Sequence, residues 1–406
     1  MHILVLDTIH GGKIIGEAYT ARGENVDCVD VYRKESSMDV KTAQSRNYDL
    51  VVAPVHLDPD HPLIKFATAP VISHHEAIRR LLGKNIPEPM VEITGSRGKT
   101  TTAHALASLM KGPGILHTST GTFRFPEKEL ISRSSITPGS VLAAVRMALD
   151  INGWLIVEES LGISCAGTLG IITSSEDYSF ATGKKSALQS KIASTKNCRQ
   201  VLLAEKISSP SFKGVVHIED VASVKDTECS LSLSSQTCRF SNPLLLLPVY
   251  RNSLVLAAAA AMMLGLNPEL LSSFRALSGR MSESYEQDVL VVDNANSGTN
   301  LAATVEAAQY ARELAGREAI TLVIGQVKGD GAVCEGFSFE QICEAINQVR
   351  PAHIVWVGTV PQPKTAEFTK LEPLISAYEV TLEEARTAAL RMATQGSIVL
   401  AVKTWR

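Results

Sequence analysis

The chain has 406 residues, 45% of them hydrophobic, with 39 lysines and arginines against 42 aspartates and glutamates. That length predicts two or three domains, each able to bury a core. The near-neutral balance excludes a strong field that would draw in nucleic acid or an acidic membrane face.

The first run, "MHILVLD", has neither a basic region nor a cleavage site, so it reads as a strand and not as a signal peptide. "TIHGGKIIGEAYTARG" is a glycine turn opening a helix, and "VDCVDVY" and "DLVVAPV" are further apolar strands. Strands alternating with helices predict a small Rossmann-like parallel sheet, a substrate-binding domain over residues 1–88. His10, Gly11 and Gly12 fall where such sheets place ligands, at the carboxyl end of a strand; a ligand contact and a plain turn fit them equally. His56, His61, His74 and His75 lie in "APVHLDPDHP" and "SHHEA". Metal binding is one reading of them; exposed loop histidines beside Pro and Asp are the commoner one.

"LLGKNIPEPM" is the expected linker into a central domain, residues 89–280. That domain opens on "VEITGSRGKTTT", a strand that stops at a glycine loop and runs on into a helix expected over Thr100 to Lys111. A standard Walker A loop, G-x-x-x-x-G-K-[ST], would need glycine at position 93, where this chain has Ile93. The loop here is the shorter Gly95-Ser96-Arg97-Gly98-Lys99-Thr100, with Thr101 next. The physics is still that of a phosphate cradle. Gly95 and Gly98 let backbone N–H groups turn toward an anion, Lys99 adds a point charge, Thr100 offers a hydroxyl to Mg²⁺, and the positive end of the helix faces the site. A bare glycine turn is the competing reading, and the ordered arrival of strand, loop, Lys-Thr and helix argues against it.

Further along come strands in "WLIVE", "LGIIT" and "QVLLAE", then short antiparallel strands in "HIEDVASVKDTECSLSLSSQTCRF". The longest apolar run, "LVLAAAAAMMLGL", is too short to cross a bilayer and reads as a buried helix. After Arg280, "DVLVVDN", a helix from about Gly298, "AITLVIG", "FEQICEAINQV", "HIVWVG", "LEEARTAALRMA" and "SIVLAVK" alternate as a second Rossmann-like unit, residues 281–406. Cys28, Cys165, Cys198, Cys229, Cys238, Cys334 and Cys343 are scattered and odd in number, with no C-x-x-C pair. They predict reduced thiols in a cytoplasmic protein and no disulfide frame or zinc site.

From the phosphate loop onward the chain resembles the Mur ligase family, the ATP-dependent ligases that include the peptidoglycan amino-acid ligases and folylpolyglutamate synthetase. The family loop G-[ST]-x-G-K-[ST] is matched by Gly95 to Thr100, its T-G-T by "TSTGT", and its T-T-P by Thr137 and Pro138. "IVEESLG" matches the strand ending in a magnesium-binding glutamate, Glu158 or its neighbour Glu159, of which strand alternation lets one face the site. "RNSLVLAAAAA" places Asn252 as the adenine contact, "SGRM" supplies Arg280, and "VVDNANSG" supplies Asp293 of a D-Y-A-H-N-P motif. The resemblance implies an α/β fold of three domains, a central P-loop ATPase flanked by two smaller Rossmann-like domains. It also implies that ATP turns a substrate carboxylate into an acyl phosphate, with Mg²⁺ on Thr100 and Glu158 and with Lys99 neutralising charge on the transferring group. A second Mg²⁺ is implied on a histidine and a carbamylated lysine. By position the lysine is Lys191, with Lys184 and Lys185 as alternatives, each equally readable as a surface helix lysine. Glu176 and Asp177 stand where the histidine is usual, with Asp177 the nearer match.

The departures bear on the second substrate. Asn294, Asn296 and Ser297 replace the tyrosine, histidine and asparagine of D-Y-A-H-N-P, and the chain ends "LAVKTWR" in place of a K-G-H-E-like turn. That pattern keeps phosphoryl activation and changes the nucleophile. "LVLDTIHGG" leading into "GENVDCVDVYR" resembles a branch of the family, in methanogenic archaea, that cyclises a nickel tetrapyrrole. The branch implies a large, flat, multiply carboxylated small-molecule substrate, with His10, Arg124 and Arg133 as candidate carboxylate contacts. A peptide-forming amino-acid ligase of archaeal cell-wall synthesis and a non-catalytic nucleotide-binding partner protein are the competing readings.

Overall fold

The computed structural model describes every residue except 33–37, 209–213, 297, 328–336, 360–368, 370, 394, 395, 405 and 406. Ser297 and Cys334, both singled out above, therefore lie outside the described residues. The chain divides into two compact units, Met1–Phe274 and Arg275–Arg406.

The first unit holds two sheets that are parallel in their main part. The smaller runs Asn25–Val29, His2–Leu6, Leu50–Ala53, Val71–Ser73, all parallel. The larger runs Val215–His217, Val201–Leu203, Leu169–Ile172, Met90–Thr94, Trp154–Glu158, Gly114–Thr118, Gly121–Phe125, Glu129–Ser132. Its first six strands are parallel and its last two are added as hairpins. Parallel strands buried on both faces read as continuous apolar runs, and Met90–Thr94 and Trp154–Glu158 are buried at every position. Ile3, Val5 and Ile78 share one apolar cluster with Ile115, Val141 and Leu155, so the two sheets are joined through a common core. Three antiparallel strands, Ala222–Lys225, Glu228–Leu233 and Gln236–Ser241, follow as expected.

The loop after Met90–Thr94 opens into the helix Lys99–Ala107, shorter at its end than the sequence predicts. The alanine-rich helix Pro248–Met263 lies against it, and Ala257 to Ala261 are at most 1% exposed. Small side chains on that helix let the two backbones approach closely. Among the described residues no helix is long and apolar enough to cross a membrane.

The second unit is one sheet in the order Ser282–Glu286, Val289–Asp293, Ser397–Lys403, Ile320–Gln326, His353–Gly358, Ile375–Glu379, with the first pair antiparallel and the others parallel. Its first helix starts at Leu301, three residues past Gly298, because Asn300 caps it by accepting from the Ala303 N–H.

Two expectations are overturned. Cys165 and Cys198, 33 residues apart, are joined by a disulfide, since the fold brings the segments after Trp154–Glu158 and before Val201–Leu203 together. His74 and His75 are buried, not exposed, because they open the helix His74–Leu82, whose inner face packs on the smaller sheet. Burial lowers both to about 4, so both are neutral at neutral pH.

Candidate active site

Three neighbouring parallel strands, Leu169–Ile172, Met90–Thr94 and Trp154–Glu158, deliver their carboxyl ends to one place. Gly95, Glu158 and Thr173 emerge there side by side, in the crevice where open α/β sheets bind ligands.

Both loop glycines are required by the space. Gly95 has φ of 152° and a Cβ there would lie 2.1 Å from Thr173 Oγ1. Gly98 is left-handed at φ of 81°, and a Cβ would lie 2.9 Å from Ser253 Oγ on the alanine-rich helix. Gly98 is also the N-cap of Lys99–Ala107 and provides no side-chain cap, so the first-turn N–H groups are left for an anion. The N–H groups of Ser96 and Arg97 have another partner: both donate to Ser174 Oγ, at 3.0 and 3.2 Å.

At the helix start the polar side chains converge. Thr100 Oγ1 donates to Glu158 Oε2 at 2.8 Å and lies 3.1 Å from Ser119 Oγ, while the Ser119 N–H donates to the same Glu158 oxygen at 3.1 Å. Lys99 Nζ donates to Gly95 O at 3.0 Å and sits 3.7 Å from Glu158 Oε1. Glu158 is 2% exposed, so this carboxylate is held in place by a lysine and two donors. The neighbours decide between the two glutamates. Glu159 points the other way, into a buried pocket with Glu92, where Ser164 N donates to it at 3.3 Å and the Ser164 hydroxyl donates to Glu92. Burial, reinforced by the Glu92 charge, pushes the Glu159 carboxyl well above the ordinary carboxylate range.

Of the three lysines weighed, Lys191 is beside the loop. It is 1% exposed, donates to Ser96 Oγ at 2.9 Å and lies 5.0 Å over the Tyr178 ring. Burial and the neighbouring Lys99 charge lower it to about 8. Lys184 instead pairs with Asp58 and Asp60, and Lys185 donates to the Val55 and Leu57 carbonyls. Glu176 pairs with Arg97 at 3.0 Å. The Asp177 carboxylate accepts from Ser186 Oγ, Leu188 N and Tyr178 N, which ties it to the turn before the Lys191 helix. Asn252 Nδ2 donates to Thr173 O at 2.7 Å, which sets it next to the loop. His10 bonds Asp7 at 2.8 Å, Arg124 lies 3.7 Å from Glu129, and Arg133 is exposed.

In the second unit Asp293 is 6% exposed and accepts from Ala295 N at 3.0 Å. Asn296 Nδ2 donates to Gly279 O at 2.7 Å, which draws the stretch before Arg280 to the turn after Asp293. Asn294 Nδ2 donates to Ala303 O, so both asparagines serve backbone groups here.

Ser119, Thr173, Ser174 and Ser253 went unnoticed as contributors in the sequence. Their hydroxyls come from three separate segments, with no spacing to mark them; Ser119 and Ser253 lay within stretches already matched, "TSTGT" and "RNSLVLAAAAA".

Residues 283–404 match the family model described as the C-terminal domain of coenzyme F430 synthetase CfbE. Over its whole length the chain is 32% identical to coenzyme F(430) synthetase of Methanosarcina acetivorans, covering 98% of that protein. The chain belongs to the coenzyme F430 synthetase family. With that membership it is an ATP-dependent ligase. Among solved structures it is similar to MurF from Acinetobacter baumannii, with a TM-score of 0.56 and 14% identity over 93% of this chain and 87% of that one. A bifunctional folylpolyglutamate synthase/dihydrofolate synthase from Yersinia pestis gives a TM-score of 0.54 and 15% identity over 82% and 92%. These two likenesses establish for the F430 synthetase family member the Mur ligase fold expected from the sequence.

Proposed function

We propose that the chain works in the cytoplasm on a nickel tetrapyrrole acid, activating one propionate with ATP and closing a carbocyclic ring through a carbon atom of the same molecule. The observation that carries this reading is the convergence of Lys99, Thr100, Ser119 and Glu158 on the uncapped start of Lys99–Ala107. Thr100, Ser119 and Glu158 are hard oxygen donors that fit Mg²⁺. The ion, when bound, would neutralise charge on the β- and γ-phosphates.

The loop from Gly95 through Ser96, Arg97 and Gly98 to Thr100 and Thr101 would hold the phosphates, and Lys99 would set its charge against the transferring group. Asn252 would meet the adenine, with Arg280 and Asp293 as further nucleotide contacts. A second Mg²⁺ position beside Lys191 would draw on Asp177 or Glu176. In the first step a carboxylate oxygen attacks the γ-phosphorus and ADP leaves with the bridging oxygen. In the second the carbon nucleophile, having lost its proton to base, attacks the acyl carbon. Inorganic phosphate then leaves with the former carboxylate oxygen. The substrate loses the mass of one water overall.

The test is ATP-dependent phosphate release, with the nickel seco-acid tetrapyrrole in one arm and a panel of amino acids plus peptide acceptors in the other. Release only with the tetrapyrrole, with one water lost from its mass, is expected. Release that needs an amino acid would move the chain to the peptide-forming branch, and no release in either arm would leave a nucleotide-binding partner.

A further inference from the structure

Away from the phosphate loop, the carboxyl ends of His2–Leu6 and Leu50–Ala53 bring three metal-ligating side chains together. Asp7 is fully buried, and its Oδ1 accepts from the N–H groups of Ile9 and His10 at 2.9 and 3.1 Å. Its Oδ2 lies 2.8 Å from His10 Nδ1 and 3.6 Å from His56 Nε2. The three ligand atoms all fall within 4.8 Å of one another. Bonds to such an ion are about 2.0–2.2 Å, so two ligands on one centre sit about 2.9 Å apart in a cis octahedral pair and about 3.4 Å apart in a tetrahedral one. The observed pair of distances straddles those values.

Two features of the surroundings point the same way. His56 Nε2 is buried with no hydrogen-bond partner, and at 3.6 Å the Asp7 oxygen is too far to be one. An orphaned ring nitrogen is costly, and a coordinated ion would satisfy it. Asp7 also holds a backbone conformation at φ of 71° and ψ of 96°, which the Ile9 and His10 N–H groups pin in place. The Tyr32 ring stacks on His56 and meets His10 edge-on, each at 5.5 Å between centroids, so both imidazoles are fixed in orientation.

We propose that Asp7, His10 and His56 form a binding site for one divalent late first-row transition-metal ion. Two imidazoles with one carboxylate suit Zn²⁺, Ni²⁺ or Co²⁺, whereas Mg²⁺ and Ca²⁺ take oxygen sets. Three protein ligands leave positions open for water or for a ligand carboxylate. Binding exchanges the His10–Asp7 hydrogen bond for coordination, with the ring proton of the neutral imidazole then carried on Nε2. The proposal does not depend on the substrate assigned above.

The test uses the full chain, stripped with chelator and titrated calorimetrically with Zn²⁺, Ni²⁺, Co²⁺ and, as a control, Mg²⁺. One transition-metal ion per chain is expected, with affinity falling at least tenfold in Asp7→Asn and further in the His10→Ala/His56→Ala double variant. ATP binding serves as the fold control for each variant. The visible spectrum of the wild-type cobalt form needs no variant and should show a nitrogen-bearing site of low coordination number. Binding unchanged in the double variant, no stoichiometric binding, or a spectrum equal to aqueous cobalt would overturn the proposal.

Discussion

The loop at Gly95–Thr100 and the asparagines in the turn after Asp293 both fall in stretches where the sequence predicts site residues, yet their polar side chains are used differently. At the loop, Thr100, Ser119 and Lys99 turn toward one buried carboxylate, Glu158. At the turn, Asn294 and Asn296 donate to the carbonyls of Ala303 and Gly279 and so hold the chain's own backbone. At the turn the two side chains are engaged in holding the backbone, whereas the polar side chains that crowd the buried Glu158 charge offer an interaction a ligand can take over. Two of the replaced positions of the D-Y-A-H-N-P motif, Asn294 and Asn296, thus have a structural occupation in this chain.

The largest effect expected from that contrast is at Lys99. Lys99→Ala removes the charge set against the transferring phosphoryl group and should cut ATP-dependent phosphate release by about 10³-fold or more. Turnover near wild type would sink the loop assignment. Glu158→Gln keeps the shape and one acceptor for Thr100 but loses the charge. The Mg²⁺ concentration for half-maximal turnover should rise at least tenfold, measured by titrating the metal at saturating ATP.

Lys191 separates stability from activity. Burial and Lys99 lower it to about 8 from an ordinary 10.5, so between those values the unfolded chain binds a proton that the folded chain has lost. Stability therefore rises with pH across that window, and below it the charged lysine opposes folding in full. Lys191→Met should be at least as stable as wild type at neutral pH, with the difference closing as pH rises through the window, while turnover falls. Denaturant melts at several pH values read the first part, and phosphate release reads the second.

The smallest effect on rate is expected at the turn. Asn296→Ala leaves the Gly279 carbonyl without its donor and should cost about 1–3 kcal/mol of stability. Its kcat, assayed well below the melting temperature, should stay within about twofold of wild type. A large loss of kcat without a loss of stability would place Asn296 among the reacting groups and erase the contrast between the two regions.

The phosphate loop was legible because its chemistry is local: glycine, lysine and threonine must follow one another between a strand and a helix. The buried strands were legible for the same reason, as in "WLIVE" and "VEIT", where every residue is covered. What the sequence hid depends on segments far apart in the chain. Ser174 and Ser119 reach the loop from other strands, and Cys165 meets Cys198 across 33 residues. The choice between Glu158 and Glu159 was half legible: alternation said that one faces inward, and the neighbours Thr100 and Glu92 decided which.

The central claim is that a substrate carboxylate is phosphorylated before the bond-forming step. The most direct measurement labels the substrate carboxylate with heavy oxygen and weighs the phosphate released on turnover. One labelled oxygen per phosphate is the predicted result, since that oxygen bridges carbon and phosphorus in the acyl phosphate. Unlabelled phosphate alongside normal product would contradict the account.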